Sequence, residues 1–295
     1  MDAPLVIRAS ACSAFADCQL RAAAQSQPRL FEAAGWSLHP ARTNFGALIG
    51  SGVHAGAEVA LKGRMQGALP PVSACEDAAI EELHRRRQAE GERGVIGDET
   101  CGDPDQAERQ VRRMLGRYRT DVAERAEPVA VERRIEADIM PGVVLSGQSD
   151  LLHLERGGER AEPVEIVRDL KSTRRRGQHP MTHAPQVGNY SLLFRSRGYD
   201  PTACAIDLLP RVKLAASQPP VFTLPLDLRD AESIAYAVTT EFASKLLAFK
   251  RDGEPGRFLT NPASFLCSAK FCRLYGQQAC PATRHLNLPA TGAPS

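Results

Sequence analysis

The sequence has few aromatic residues, no long apolar run and almost no net charge. Aromatic residues make up 5% of the 295 residues, and the formal net charge is +2. The longest apolar candidate, residues 45–61, is interrupted by four glycines, His54 and Glu58, so no segment is predicted to span a membrane. No basic flank leads into an apolar run at the N-terminus, which argues against a signal peptide. We therefore expect a soluble, cytoplasmic protein without a global basic field.

Two common sets of catalytic motifs are also missing. There is no Gly-x4-Gly-Lys-Ser/Thr loop to cradle a nucleotide phosphate, and no Gly-x-Ser-x-Gly turn to expose a nucleophilic serine. An enzyme of unrelated chemistry, with zinc as a structural metal, is therefore disfavoured, because the chain offers no other set of catalytic residues for it. No helicase motif is present either, so any unwinding of a duplex would come from a partner protein.

Hydrophobic periodicity divides the chain into a helical first part and a later part in which strands and helices alternate. In the first part, helices are predicted over residues 10–24, 44–63, 76–91 and 104–127. After Pro128, strands are predicted over residues 129–139, 143–154, 164–171, 204–209 and 221–226. Further helices are predicted over residues 182–197 and, with Asp230 as the N-cap, 230–250. The pattern as a whole predicts a mixed α/β fold.

Two aspartates and a lysine lie on neighbouring predicted strands. They occur in Gly147-Gln-Ser-Asp150 and in Asp169-Leu-Lys171, and residues 169 and 171 share a strand face because side chains alternate. Carboxylates hold a hard cation through oxygen, and the cation lowers the pKa of a bound water. A lysine beside that water can orient it and stabilise a crowded phosphate. This set indicates metal-assisted phosphodiester cleavage.

Each of these residues also has an ordinary structural interpretation. An Asp-x-Lys triplet arises by chance in most chains of this length, and a single histidine such as His54 on a helix is commonly a hydrogen-bonded core residue. Gln186 and Tyr190 are four residues apart, so they share a helix face and could simply be packing residues. The order and spacing of the whole set are what favour a site.

The Gly-x-x-Asp, Asp-x-Lys and Gln-x-x-x-Tyr motifs, in this order, resemble the PD-(D/E)XK nuclease superfamily. More narrowly they resemble its RecB-like branch, which includes CRISPR adaptation nucleases and phage exonucleases. In that branch a histidine on an early helix commonly joins the metal site, and the segment Gly50-Ser-Gly-Val-His54 matches that helix. The resemblance extends from about residue 10 to residue 280. It implies a restriction-endonuclease-like core in which helices flank a central mixed sheet.

The resemblance also implies roles for the site residues. Mg²⁺ or Mn²⁺ would be bound by His54, Asp150, Asp169 and the carbonyl of Leu170. An imidazole ligand would shift the preference toward Mn²⁺. The residues expected to be catalytic or to orient the lysine or the DNA are Lys171, Gln186 and Tyr190.

Eight cysteines in a reducing cytosol argue for metal ligation or plain burial rather than disulfides. Cys267, Cys272 and Cys280 cluster near the C-terminus, and soft sulfur favours an iron–sulfur cluster or zinc. By the resemblance, three C-terminal cysteines and one N-terminal cysteine would hold a [4Fe–4S] cluster, with Cys18 as the fourth ligand and Cys12 as the second choice. Zinc is the alternative metal, and plain burial comes third. Three further cysteines are expected to be buried structural residues: Cys75, Cys101 and Cys204.

An arginine run follows the catalytic lysine, and its members Arg174, Arg175 and Arg176 are predicted to contact DNA phosphates. The resemblance divides the chain into an N-terminal helical region that contributes Cys18 and His54, a nuclease core, a cysteine-rich segment packed on the N-terminus, and a flexible tail. The boundaries of these four parts are 1–127, 128–250, 251–285 and 286–295.

The function expected from these features is a metal-dependent DNA nuclease, specifically an exonuclease, with a structural [4Fe–4S] cluster. Its partners would be single-stranded DNA or duplex ends and a helicase or recombination protein. The alternative is a non-catalytic DNA-binding or assembly subunit of a repair, recombination or phage DNA-processing complex. Intact metal ligands favour the enzyme, because a degenerate site usually loses at least one.

Overall fold

A mixed sheet forms the centre of the computed structural model, which describes residues 3–40, 42–91, 94–156, 162–174 and 179–286. The sheet has six strands in this part of the chain. Their bounds are β1 Leu5–Arg8, β2 Glu127–Met140, β3 Val143–Glu155, β4 Val164–Thr173, β5 Pro201–Pro210 and β6 Phe222–Leu226. Five of them were predicted from β-branched, alternating sequence. The short β1 was missed because four residues carry too little periodicity.

The pairing of β3 creates the most important feature of the sheet. The strands follow the order β1-β3-β4-β5-β6, and β2 pairs with the opposite edge of β3 along most of its length. β1 lies parallel to residues 143–146 of β3, and β4 lies antiparallel to residues 151–155 on the same edge. Residues 147–150 therefore face a gap between two neighbouring strands. We call this gap the fork.

Helices cover both faces of the sheet, as the mixed α/β fold predicted. Two lie near the chain start and two follow β4 and β6: α1 Ala9–Asp17, α2 Gln19–Ser26, α7 Ala184–Arg195 and α8 Leu228–Asp252. A short helix and three longer ones complete the set: α3 Pro28–Ala33, α4 Phe45–Met65, α5 Val72–Glu90 and α6 Pro104–Tyr118. Several boundaries differ from the prediction, and each difference has a local cause.

The helix predicted over residues 10–24 is two helices, because Cys18 adopts an extended backbone between them. Asp230 is not the N-cap of α8; the Asp227 side chain accepts the N–H of Asp230, which lies in the first turn. The π-helical turn Arg119–Ala123 follows α6. Asn44 caps α4 by accepting the N–H of Ala47. Short polar caps of this kind satisfy otherwise unpaired N–H groups at a helix start.

Two hydrophobic clusters hold the layers together, one on each face of the sheet. On one face, α1, α2, α7 and α8 pack against β-strand residues such as Leu152 and Ile206. On the other face, α4, α5 and α6 pack against residues such as Leu151 and Leu170. Each fully buried aliphatic or aromatic side chain contributes about 1.5–3 kcal/mol. The fork opens between the two clusters, so side chains from both layers reach it.

The C-terminal segment after α8 contains turns and two short 3-10 helices, Pro255–Arg257 and Arg284–Leu286. It contacts the N-terminal helices: the N–H of Leu20 donates to the Leu259 carbonyl, and Gln25 donates to the Phe271 carbonyl. Most of the predicted tail lies outside the described residues. No helix in the described ranges is long and apolar enough to cross a membrane.

Candidate functional site

The two predicted aspartates meet at the fork. Asp150 and Asp169 lie one position beyond the Leu151–Arg168 pair, where β3 and β4 begin to separate. The Oδ2 atom of Asp150 accepts the backbone N–H of Leu170 at 2.6 Å, which fixes its carboxylate against β4. Asp169 is only 1% exposed. Two carboxylates on diverging strands leave space between them that paired strands would not.

Lys171 joins this pair through Asp169 and α7. Its Nζ atom lies 2.8 Å from Asp169 Oδ2 and donates to Gln186 Oε1 at 3.1 Å. The Gln186 amide in turn donates to Asp169 Oδ1 at 3.0 Å and to the Tyr190 hydroxyl at 2.7 Å. Gln186 and Tyr190 are both buried. This network holds the ammonium group of the lysine between the sheet and α7.

His54 and Glu132 complete the fork from the opposite side. His54 Nδ1 lies 3.2 Å from Asp150 Oδ1 and 3.6 Å from Glu132 Oε1. His54, Glu132 and Asp150 form a group of possible ligands whose donor atoms lie within 4.8 Å of one another. α4 brings the imidazole to the carboxylates. The structure thus places His54 beside the predicted aspartates.

Glu132 is the site residue that sequence reasoning missed. It lies on β2 opposite Asp150, between the pairs Val131–Leu151 and Arg133–Ser149. Its φ is +47°, and it is the non-glycine residue with a positive φ in the described chain. This left-handed backbone costs a non-glycine residue about 1–2 kcal/mol, and strained residues cluster at functional sites. One glutamate among many charged residues on β2 gives no sequence signal for it.

Burial and neighbouring charges together raise the pKa of three groups at the fork, His54, Asp150 and Lys171. Burial alone would lower the pKa of His54, but Asp150 and Glu132 raise it to about 10. Burial raises the pKa of Asp150. The nearby carboxylates of Asp169 and Glu132 raise this pKa further, whereas His54 lowers it. Burial would also lower the pKa of Lys171, yet Asp169 and Asp150 raise it above its usual range. The lysine is therefore an ammonium ion at neutral pH, a hydrogen-bond donor rather than a base.

Gly147 explains how α7 comes so near the fork. A Cβ atom at this position would lie 2.5 Å from Leu193 Cδ1 and 3.1 Å from the Tyr190 ring. Any larger residue would push the helix and its tyrosine outward. The glycine of the Gly-x-x-Asp motif is thus required for close packing of α7 against β3.

An open cleft of about 570 Å³ leads to the fork from the α4 side. Lys171, Leu170, His54 and Glu132 line its inner end. Small residues on one face of α4 line its wall, so the backbone of that helix is accessible: Gly46, Ala47, Gly50, Ser51 and Ala55. A cleft of this size accommodates a small-molecule-sized group such as a nucleotide.

The predicted arginine run is only partly described. Arg174 follows β4 and pairs with Glu99, their nearest charged atoms 3.3 Å apart. It is not among the residues that line the cleft. Arg175 and Arg176 lie outside the described residues. Contact of this run with DNA stays a prediction.

The four predicted cluster cysteines line one small cavity between the two ends of the chain. Cys18 reaches it from the break between α1 and α2, and Cys267, Cys272 and Cys280 come from the C-terminal turns. Burial, together with nearby Cys280 and Cys18, raises the pKa of Cys272 to about 11. Cys12 does not line the cavity; its Sγ atom is buried 3.4 Å from Thr239 Oγ1. Cys18 is therefore the N-terminal cysteine that the fold brings to the other three.

The cysteines predicted to be structural are all buried: Cys75, Cys101 and Cys204. Burial raises the pKa of each thiol above its usual value. Neutral buried thiols behave as small hydrophobic groups.

The donor sets of the two sites suit different metals. At the fork, carboxylate oxygens and one imidazole suit Mg²⁺ or Mn²⁺. At the cavity, four cysteine sulfurs suit a soft metal group. The buried Arg21, which also lines the cavity, suits the negative charge of such a metal–thiolate group. Thiolates on one tetrahedral zinc, with Zn–S bonds of about 2.3 Å, would lie within about 4 Å of one another. Among the described residues, no three of the cysteine sulfurs all lie within 4.8 Å of one another.

Comparison with known proteins supports a nuclease fold. A family model described as the PD-(D/E)XK nuclease superfamily matches residues 8–273. A crystal structure from Eubacterium rectale, named "Putative exonuclease", is similar with a TM-score of 0.52 and 10% identity, over 89% of this chain and 86% of that chain. The structure of SSO0001 is less similar, with a TM-score of 0.23 and 15% identity, over 38% of this chain and 48% of that chain. No curated protein matches the sequence.

Proposed function

Because this chain belongs to the PD-(D/E)XK nuclease superfamily, we propose that it is a DNA nuclease that cuts phosphodiester bonds at the fork. The observation that carries this proposal is the hydrogen-bonded network of Asp169, Lys171 and Gln186. It lies beside Asp150, whose carboxylate accepts the Leu170 N–H. The fork offers oxygen and nitrogen donors to a divalent cation and an ammonium group beside them. These are the groups that phosphodiester hydrolysis requires.

Mg²⁺ or Mn²⁺ is proposed to bind His54, Glu132, Asp150, Asp169 and the Leu170 carbonyl. When bound, the ion supplies an acidified water and neutralises charge on the phosphate. His54 Nδ1 lies 3.6 Å from Glu132 Oε1, and the imidazole would release its proton on binding the ion. Glu132 enters this ligand set from the structure alone.

The side chains of the fork have separate tasks in this proposal. Lys171 donates to the attacking water or to a phosphate oxygen, because its raised pKa keeps it charged. Gln186 restrains the lysine and Asp169 together, and Tyr190 restrains Gln186. Burial keeps Tyr190 protonated, since it raises the pKa of the phenol well above its usual value.

The cysteine cavity is proposed to hold a structural [4Fe–4S] cluster that joins the two chain ends. Cys18, Cys267, Cys272 and Cys280 would be its ligands, with zinc as the alternative metal. The meeting of four cysteine sulfurs at one cavity supports a thiolate-bound metal group there. Arg21 would offset the negative charge of the cluster. A RecB-like exonuclease, a helicase or recombination partner and the four-part domain division stay predictions.

The test is cleavage of linear single-stranded and duplex DNA by the purified protein with Mg²⁺ or Mn²⁺. Lys171→Ala should lower kcat by about 10²–10³-fold, as loss of a transition-state donor does. Asp150→Ala should lower it at least as much. Lys213→Ala and Asp230→Ala, which remove exposed charges at residues that do not line the cleft, should leave it unchanged.

Activity that survives both fork substitutions would overturn the assignment. DNA binding without cleavage, across several divalent metals and strand types, would instead favour a non-catalytic DNA-binding or assembly subunit. The visible spectrum of anaerobically purified protein tests the cluster separately. A broad band in the blue with stoichiometric iron supports it, and stoichiometric zinc contradicts it.

A further inference from the structure

A second, smaller cavity of about 170 Å³ lies beside the fork. The end of β1, the start of α1, and residues of β2 and β3 form its walls, with Tyr190 of α7 at one side. Its position follows from the sheet: β1 ends at Arg8, which pairs with Ser146, just before the gap in β3. It thus occupies the side of the fork opposite to the open cleft.

The charged residues that line this cavity are basic, whereas those that line the cleft are of both signs. Arg8 and Arg134 line it, and both are exposed to solvent. In the described part of the chain, neither arginine forms an ion pair with a carboxylate; Arg134 donates instead to the Gln148 amide oxygen at 3.1 Å. The lining residue Ser146 donates to Glu136, so one acid lies nearby. The cleft, by contrast, is lined by Glu58, Glu82 and Glu132 as well as by basic groups.

Gln148 connects this cavity to the candidate metal ligands. Its amide nitrogen donates to Glu132 Oε2 at 2.8 Å, and its amide oxygen accepts from Arg134. Gln148 lines both the cleft and the cavity. Glu132 and Arg134 are two residues apart on β2, about 7 Å along a strand.

We propose that this cavity binds a nucleic-acid phosphate adjacent to the one that is cut, with Arg8 and Arg134 as its main contacts. The proposal rests on the proposed nuclease function and deepens it. Guanidinium groups bind phosphate oxygens through paired hydrogen bonds. Ser10 and the first-turn N–H groups of α1, which has neither a side-chain cap nor an acid in its first turn, add to the positive potential.

This assignment gives the substrate a path. The strand would run from the open cleft, past the metal ligands and Lys171, to the arginine cavity. The phosphate bound there is either an internal phosphate of the strand or a phosphate at its end. A terminal phosphate would hold the chain end a fixed distance from the cutting site, which is what an exonuclease needs.

The test compares the steady-state cleavage of short oligonucleotides by wild type, Arg8→Ala and Arg134→Ala. Each substitution should raise KM about tenfold, the loss expected for a charged hydrogen bond, with a smaller change in kcat. The slope of log KM against log salt should fall by about one for each arginine. Arg8→Lys and Arg134→Lys should restore most of the salt slope. Arg133→Ala is the matched control, because Arg133 contacts the Tyr199 hydroxyl outside the cavity.

The form of the oligonucleotide distinguishes the two phosphate sources. If the cavity binds a terminal phosphate, removing the 5′ or the 3′ phosphate should raise KM for wild type and leave the arginine variants unaffected. If it binds an internal phosphate, the variants should be weakened equally on phosphorylated, unphosphorylated and circular single strands. Unchanged KM and salt slope in both alanine variants, on all substrates, would overturn the subsite and leave the nuclease function standing.

Absence of cleavage by wild type would overturn the proposed function. The phosphate subsite would then be tested by oligonucleotide binding instead of by cleavage. Fluorescence anisotropy of a labelled oligonucleotide in Ca²⁺, which also takes oxygen ligands, provides that measurement. About tenfold weaker binding by each alanine variant, with Arg133→Ala unchanged, supports the subsite. Equal binding by all of these proteins contradicts it.

Discussion

The fork and the cysteine cavity both bring distant segments together, but they do so by different means. At the fork, α4, α7 and three strands supply side chains that bind one another through hydrogen bonds and ion pairs. At the cavity, one cysteine lies at a break between helices and three lie in turns. Regular elements therefore fix the first site. The geometry of the second site depends more on the metal group that its sulfurs bind.

Because of this difference, we expect substitutions at the fork to affect catalysis and substitutions at the cysteine cavity to affect stability. Substitutions at the fork should abolish activity with a small effect on folding, since removing one of several clustered carboxylates also relieves repulsion. Substitutions at the cavity should lower stability first.

Cys272→Ala should have the largest effect, because it removes one ligand of the proposed cluster. Metal binding by a structural site adds directly to folding free energy. We expect loss of bound iron and a decrease in stability of about 5 kcal/mol or more, with a fall in Tm of about 10 °C. Iron analysis and thermal unfolding measure both quantities.

Two variants serve as controls for Cys272→Ala. Cys204→Ala also removes a buried thiol, but from β5, and should keep the full iron content. Asp150→Ala should keep both the iron and the Tm while losing cleavage. Full iron in Cys272→Ala would contradict the proposed ligand set.

Arg211→Ala should have the next largest effect, because it breaks a buried ion pair behind α4. Arg211 Nη2 lies 2.7 Å from Asp98 Oδ2, and the side chains are 7% and 11% exposed. Leaving a buried carboxylate unpaired costs about 3–5 kcal/mol. The expected result is a fall in Tm at pH 7 without loss of iron. Arg251→Ala, which removes an exposed arginine, is the control.

The same pair gives stability a defined dependence on pH. Burial would raise the pKa of Asp98, but Arg211 and Thr100 hold it well below its ordinary value. A lowered native pKa contributes stability above the unfolded pKa of about 3.9 and loses it as pH falls. The Tm difference between wild type and Arg211→Ala should therefore shrink below about pH 4. A difference that stays constant down to pH 2 would exclude this carboxylate as its source.

Gly147→Ala should have a moderate effect on both folding and activity. The added Cβ overlaps Leu193 and crowds Tyr190, and overpacking of this kind costs about 1–3 kcal/mol. Displacement of α7 should also loosen Gln186 from Lys171, so kcat should fall. Gly142→Ala is no control here because Gly142 has a positive φ; Gly116→Ala, with open space at Cβ, is suitable. Wild-type kcat in Gly147→Ala would show that α7 need not pack this closely.

Tyr190→Phe should have the smallest effect of the series. It removes the hydroxyl that accepts from Gln186, a hydrogen bond worth about 1 kcal/mol, which corresponds to about a fivefold decrease in kcat. Tyr236→Phe, at an exposed tyrosine, should change nothing. A decrease of a thousandfold would instead indicate that the phenol contacts the reacting phosphate.

Sequence predicted the fold and most of the fork because both depend on local patterns. Strand alternation placed Asp169 and Lys171 on one face, and helical spacing placed Gln186 and Tyr190 together. Glu132 could not be found in this way. Its backbone is left-handed, and no residue pattern near it encodes that conformation.

The missed break at Cys18 has a similar explanation. Helical periodicity continues through residues 10–24, but tertiary packing of the two chain ends turns the chain at the cysteine. The N-cap of α8 was placed at Asp230 instead of Asp227 because either aspartate suits a helix start. The difference in charge between the cleft and the arginine cavity could not be predicted from the sequence either, because it depends on where β1 ends.

The most direct test of the account is anomalous diffraction from crystals grown or soaked with Mn²⁺. We expect a manganese peak at the fork, bounded by His54, Glu132, Asp150 and Asp169, that disappears in Asp150→Ala crystals. A peak elsewhere on the molecule, with none at the fork under conditions that support cleavage, would contradict the proposed site.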